Sequence, residues 1–356
     1  MTPRERIFKT LIKKQKPDRV PFEISWGAFT PRLMKTYYEK TGSALIPDEY
    51  FDFDTRFVIP GGTKLKLDYT QYFDVPVEQN VTFDEWGIGA IPTRYEIPDY
   101  KYHPLALSDN EKQIEEYNWP DLDAAYRYTS VEQKVKSYHD RGYAVNGEMY
   151  QTIFETAWLM RGFEQLMMDF YTNEEVAHTI CESLTQIRIN QVCQFAKTGV
   201  DIIRFGDDIV SQQGQLMDKD IYNKFIKLRM KRIIKAAKDI NPDIIIFMHS
   251  CGKVENVIDD FIDIGVEILN PIQPECNNQQ SIYNKYHDKL SFWGGIGVQS
   301  ILPYGTPKEI RAKVKETSNV LGPNGGLLLA PAHILDPTIP WENILAFIDA
   351  ARNNFY

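Results

Sequence analysis

The tetrapeptide His249-Ser250-Cys251-Gly252 is the sharpest chemical signal in the sequence. It closes a run, 243–249, that reads as a strand, and it leads into a helical pattern. In an extended segment residues i and i+2 share a face, so the imidazole and the thiol point the same way. Both are zinc ligands, and a catalytic zinc site takes three protein ligands and keeps one position open. Gly252 permits a tight turn, with backbone N–H groups at the helix start turned towards the same space. An isolated H-x-C pair also fits a core histidine beside an inert cysteine, so the third ligand decides the matter. His333, in Ala330-Pro331-Ala332-His333, is the first choice; Cys276 and Glu148 compete with it.

Other polar side chains stand just beyond apolar runs. Asp207 and Asp208 are adjacent, so an extended chain sends them in opposite directions, one to a pocket and one to anchor a loop. A pocket carboxylate can take up a proton, orient a substrate or brace a metal-bound histidine. Catalytic roles fall to Glu148 and Asp207 on this reading. Substrate contacts fall to Trp26, Tyr150, Asp208, Gln273 and Gln299.

These residues need a scaffold that gathers strand ends. Strands are expected at 20–26, 143–149, 201–206, 243–249, 267–271, 291–296 and 326–331, with one more inside an irregular stretch rich in Asp, Tyr and Pro. Helical spacing marks 130–140, 155–168, 173–198, 218–240, 253–264, 279–287, 306–320 and 341–352. Short, continuously apolar strands alternating with helices indicate a parallel sheet buried on both faces. The expected fold is α/β, a (β/α)8 TIM barrel forming a single domain over 1–356, with an insertion at about 44–125. A doubly wound open sheet is the alternative, but no glycine-rich phosphate loop follows an early strand. In a barrel the active site lies at the C-terminal strand ends, where the polar residues above fall.

The 356 residues carry 40 Lys and Arg against 49 Asp and Glu, a net charge of −9 that argues against a nucleic-acid surface. Four cysteines are too few for a disulfide framework. No apolar run reaches about 18 residues, so no membrane span is expected. No signal peptide is visible, and the expected location is the cytoplasm.

The chain resembles the uroporphyrinogen decarboxylase superfamily, and within it the corrinoid-dependent methyltransferase branch. The resemblance rests on Arg4-Glu5-Arg6 through Lys16-Pro17-Asp18-Arg19-Val20-Pro21, Asp84-Glu85-Trp86-Gly87 and Phe205-Gly206-Asp207-Asp208. It continues through His249-Ser250-Cys251-Gly252 and Gly294-Gly295-Ile296 to Pro337-Thr338-Ile339-Pro340-Trp341-Glu342-Asn343-Ile344. It implies a (β/α)8 barrel and a zinc ion held by His249, Cys251 and a residue after the last strand. That last position is cysteine in the branch and matches His333 here. A second neutral ligand makes the metal a stronger Lewis acid and favours a different donor or acceptor from the branch's thiol-methylating members. The resemblance further implies methyl exchange between a small molecule, thiol or O-/N-methylated, and a corrinoid supplied by a partner protein. A metal-free decarboxylase fits less well: the arginine-rich segment expected after the first strand is Ser25-Trp26-Gly27-Ala28-Phe29-Thr30-Pro31-Arg32, with one arginine. A non-catalytic ligand-binding barrel is the remaining alternative.

Overall fold

The apolar runs line up in one parallel sheet. A computed structural model describes residues 1–24 and 29–356. Its barrel strands are β1 (Thr55–Val58), β5 (Ala144–Gln151), β6 (Ile202–Gly206), β7 (Ile245–His249), β8 (Ile268–Asn270), β9 (Ser291–Ile296) and β10 (Leu327–Pro331). They are hydrogen-bonded in that order, each parallel to the next. The segment 20–24 supplies the remaining stave. Glu23 N–H donates to Leu329 O of β10, and Phe22 O accepts from Asp54 N–H beside β1. Hydrogen bonds on both flanks close the sheet into a barrel, as the expected strand count requires. The strand expected within 44–125 is β1.

Alternation decides what each strand offers to the barrel axis. Ile202, Ile245, Phe247, Ile268, Trp293, Leu328 and Ala330 form one buried cluster with Ile7 and Leu11, whose helical segments plug the barrel's lower end. Their neighbours Ile203, Ile246, Met248, Leu269 and Leu329 belong to the larger cluster packed under the helices. The same period places Glu148, Arg204, His249 and Asn270 on the inner side. Registry aligns their ends: Gly206 pairs with His249, and His249 with Asn270.

Elsewhere in the 44–125 stretch, β2 (Thr82–Phe83), β3 (Gly89–Pro92) and β4 (Pro98–Tyr102) make a three-stranded antiparallel sheet. The helix expected at 155–168 is divided into Phe154–Arg161 and Phe163–Thr172. Gly162 between them has φ of 90°, a left-handed conformation that ends a helix turn and that glycine adopts without steric cost. No helix of the described residues is long and apolar enough to cross a membrane.

Candidate metal centre and cavity

His249 ends β7 with its ring held from behind. Nδ1 lies 2.5 Å from Asn270 Oδ1, and Asn270 Nδ2 donates to Trp293 O at 2.7 Å, which fixes which end of the amide faces the ring. Nδ1–H therefore donates, and Nε2 is left with its lone pair towards the barrel mouth. Cys251 Sγ is 3.4 Å from that Nε2. The His333 ring centroid lies 6.1 Å from that of His249, the planes inclined at 60°. One ligand atom from each of the three residues falls within 4.8 Å of the others, a spread that one ion can bridge. Cys276 is not a member of this group; its Sγ rests 3.9 Å from Gln273 O.

Burial pushes the His249 imidazole down to about 4, with Arg204 adding to the effect and Asn270 opposing it. His333 is likewise held down to about 4, by burial and then by His249. Both rings are neutral at pH 7, the form that binds a metal. Burial and the flanking Asp208 and Glu155 carboxylates hold the Cys251 thiol well above its ordinary value. A cation alongside would reverse that balance.

The loop bearing Cys251 is clamped on both sides. Cys251 N–H donates to Asp208 Oδ1 at 2.7 Å, Lys253 N–H to Ser211 O at 2.8 Å, and Gly252 N–H to Gln273 Oε1 at 3.1 Å. Gly252 has φ of +95°, and a Cβ there would sit 2.6 Å from Ser211 O, which is backbone and cannot swing away. Gly252→Ala is expected to cost at least about 2 kcal/mol of stability by urea unfolding. Wild-type stability in that variant would show that the loop has room to shift. Replacing Asn270 by alanine is expected to weaken metal binding about 10–100-fold, because outer partners of ligating histidines carry that much affinity. A chelating dye in competition measures it, and an unchanged affinity would deny Asn270 its orienting role.

The adjacent carboxylates divide. Asp207 is fully buried and accepts from the backbone N–H groups of Ile153, Phe154 and Glu155, holding the start of the helix Phe154–Arg161. It does not line the cavity. Asp208 does: its Oδ1 lies 3.8 Å from His249 Nε2. The cavity beside the ligand group has a volume of about 400 Å3 and is walled by Tyr100, Glu148, Tyr150, Glu155, Arg204 and Asp208 among others. Glu148 is paired with Arg204 at 3.2 Å, both 2% exposed in their side chains. Arg204 in turn lies 4.3 Å from the Phe247 ring and 5.2 Å from that of Trp293. Gln273 and Gln299 line a second cavity of about 410 Å3, on the Cys251 side, which shares Asp208 and His333 with the first. Trp26 lies outside the described residues.

Residues 84–354 match the family model described as Uroporphyrinogen decarboxylase (URO-D), which is well over half of the chain. The chain belongs to the uroporphyrinogen decarboxylase family. It is 26% identical over 173 residues to the methylcobamide:CoM methyltransferase MtaA of Methanosarcina barkeri, covering 48% of this chain and 47% of that one. It is 23% identical over 250 residues to the uroporphyrinogen decarboxylase of Christiangramia forsetii, covering 68% and 70%. The chain spans about half the length of the first of these relatives. A methyltransferase from Methanosarcina mazei shares the fold, with a TM-score of 0.70 at 18% identity over 99% of this chain and 98% of that one.

Sequence reasoning passed over three residues at this family member's site. Arg204, a charged residue inside the buried strand Ile202–Gly206, was a visible signal. Asn270 occupies the strand end one stave from His249. Glu155 follows Ile153 and Phe154 at a helix start, and nothing in its spacing marks it. Burial, and then the Asp208 and Asp207 carboxylates, push it well above its ordinary value.

Proposed function

We propose that this barrel moves a methyl group between a cobamide carried by a separate corrinoid protein and a small molecule, with zinc held by His249, Cys251 and His333. The convergence of those three ligand atoms within 4.8 Å, beside a cavity of small-molecule size, carries the reading. Two imidazoles and one thiolate make a zinc-type donor set with room for one further ligand. Zinc, when bound, supplies a Lewis acid that lowers the pKa of a coordinated thiol or polarises a methylated oxygen or nitrogen. The chain supplies the rest. Asn270 fixes the His249 ring, and Asp208 holds the Cys251 backbone. Glu148, Tyr150 and Asp208 contact the small molecule in the first cavity, and Gln273 and Gln299 contact the second reactant on the Cys251 side. Asp207 acts as a positioning residue through the helix start it caps. The similarity to a methylcobamide:CoM methyltransferase supports the reaction class.

Decarboxylation of a porphyrinogen is the second reading, favoured by the longer match to the Christiangramia forsetii enzyme. Three carboxylates and one already paired arginine in the cavity wall oppose it, because a polycarboxylate needs guanidinium partners. The test is methyl transfer between methylcobalamin and a small thiol, followed by the cobalt absorption spectrum. Transfer that a chelator abolishes and zinc restores is the expected result. Chelator-resistant turnover of a porphyrinogen, without methyl transfer, would replace this reading with the second.

A further inference from the structure

The deep cavity contains an acceptor that the protein leaves open. Glu148 is 3% exposed and lines the cavity, yet neither carboxylate oxygen accepts a hydrogen bond among the described residues. Its ion pair with Arg204 at 3.2 Å engages one oxygen and leaves Oε2 facing no donor. Buried polar atoms are ordinarily satisfied, and an exception in a cavity wall marks where a ligand group completes the set. Arg204 is committed to that pair and to the faces of Phe247 and Trp293, and among the described residues no lysine and no other arginine lines the cavity. Glu155 and Asp208 add two more carboxylates, and Tyr100 and Tyr150 add aromatic wall. An anionic group entering here would meet three carboxyl groups, and the one guanidinium in the wall is already shared with Glu148.

We infer that the small molecule bound in this cavity ends in a hydrogen-bond donor, an ammonium or a hydroxyl, seated on Glu148, and that compounds ending in sulfonate or carboxylate are rejected. This rests on the proposed methyl-transfer reading and narrows its substrate class. A donor satisfies the open oxygen, and a cation also offsets the surplus negative charge. The aromatic walls accept either end group, a cation with added attraction.

Three thiols with the same two-carbon spacer separate the possibilities: 2-aminoethanethiol, 2-mercaptoethanol and 2-mercaptoethanesulfonate. Each presents the same sulfur to the metal centre and a different far end to Glu148. Calorimetric titration of the zinc-loaded full chain is expected to show the first two binding about tenfold or more tighter than the sulfonate, the span of a hydrogen bond to a charged group. The amine-to-hydroxyl order tells a cation site from a donor site. In Glu148→Gln the advantage over the sulfonate is expected to shrink to within about threefold. Equal or tighter sulfonate binding in the wild type overturns the inference, and that comparison needs no variant to fold. Failure of all three to bind a chain that holds zinc overturns it as well. Absence of zinc with the end-group order intact overturns the metal assignment and leaves this inference standing.

Discussion

Replacing His249 or His333 with alanine is expected to abolish the zinc binding proposed for this site. The protein purified with zinc present is expected to hold about one ion per chain, and either variant is expected to lose more than about 100-fold in affinity. That exceeds the 10–100-fold typical of outer partners, because a direct bond is removed rather than an orienting one. Thermal unfolding gives an independent readout, since an ion that binds only the folded state raises stability with its concentration. Added zinc should raise the wild-type midpoint and leave those of the two variants unmoved. His249→Ala also strands Asn270 Oδ1 in the interior at a cost of about 1–3 kcal/mol, so lost stability alone is ambiguous there. Cys251→Ser resolves this: it keeps the His249–Asn270 bond and exchanges only the sulfur, and it should lose zinc without comparable unfolding. Zinc retained at full affinity in His333→Ala would remove that residue from the ligand set. Asp208, 3.8 Å from His249 Nε2, would then be the next residue to test.

Much of this arrangement is legible in the sequence, for one geometric reason. Period-two alternation along a buried strand, combined with the barrel rule that chemistry gathers at C-terminal strand ends, places His249 inside and at the mouth. The i, i+2 relation then carries Cys251 with it. The same alternation, run backwards from His249 through Phe247 and Ile245, describes the apolar plug beneath the site. It applies equally to Ile202, Arg204 and Gly206, so the buried arginine is readable on the same principle, although it sits one turn of the alternation below the strand end. Asp207 and Asp208 show the limit. Adjacency says that they diverge, but which one caps a helix depends on where the chain after β5 turns, and that is fixed by Ile153 to Glu155 offering three N–H groups to one carboxylate. The pairing of Glu148 with Arg204 joins two strands, and no single stretch of sequence contains it.

That pair gives the second large effect. Burial raises the Glu148 carboxyl from its ordinary 4.5 to about 7, with Arg204 pulling the other way. The folded chain therefore keeps a proton between those values that the unfolded chain releases. Stability contributed by Glu148 is complete below pH 4.5 and is lost as pH rises through about 7, a total of about 3 kcal/mol at 1.36 kcal/mol per unit. In Glu148→Gln this slope disappears, so urea unfolding between pH 5 and 8 should show the variant gaining on the wild type as pH rises. An identical pH slope in the two proteins would mean that Glu148 stays ionised in the folded state throughout. Arg204→Met removes the only attraction opposing burial, so the carboxyl is driven higher and the loss extends above pH 7. At pH 8 the variant must either hold that proton against the solvent or bury an uncompensated anion, at an expected cost of up to about 3–5 kcal/mol. The double variant, Glu148→Gln with Arg204→Met, buries no charge at either position and is expected to recover most of that loss. Without such recovery, the arginine's contribution would lie in its packing against Phe247 and Trp293 rather than in its charge.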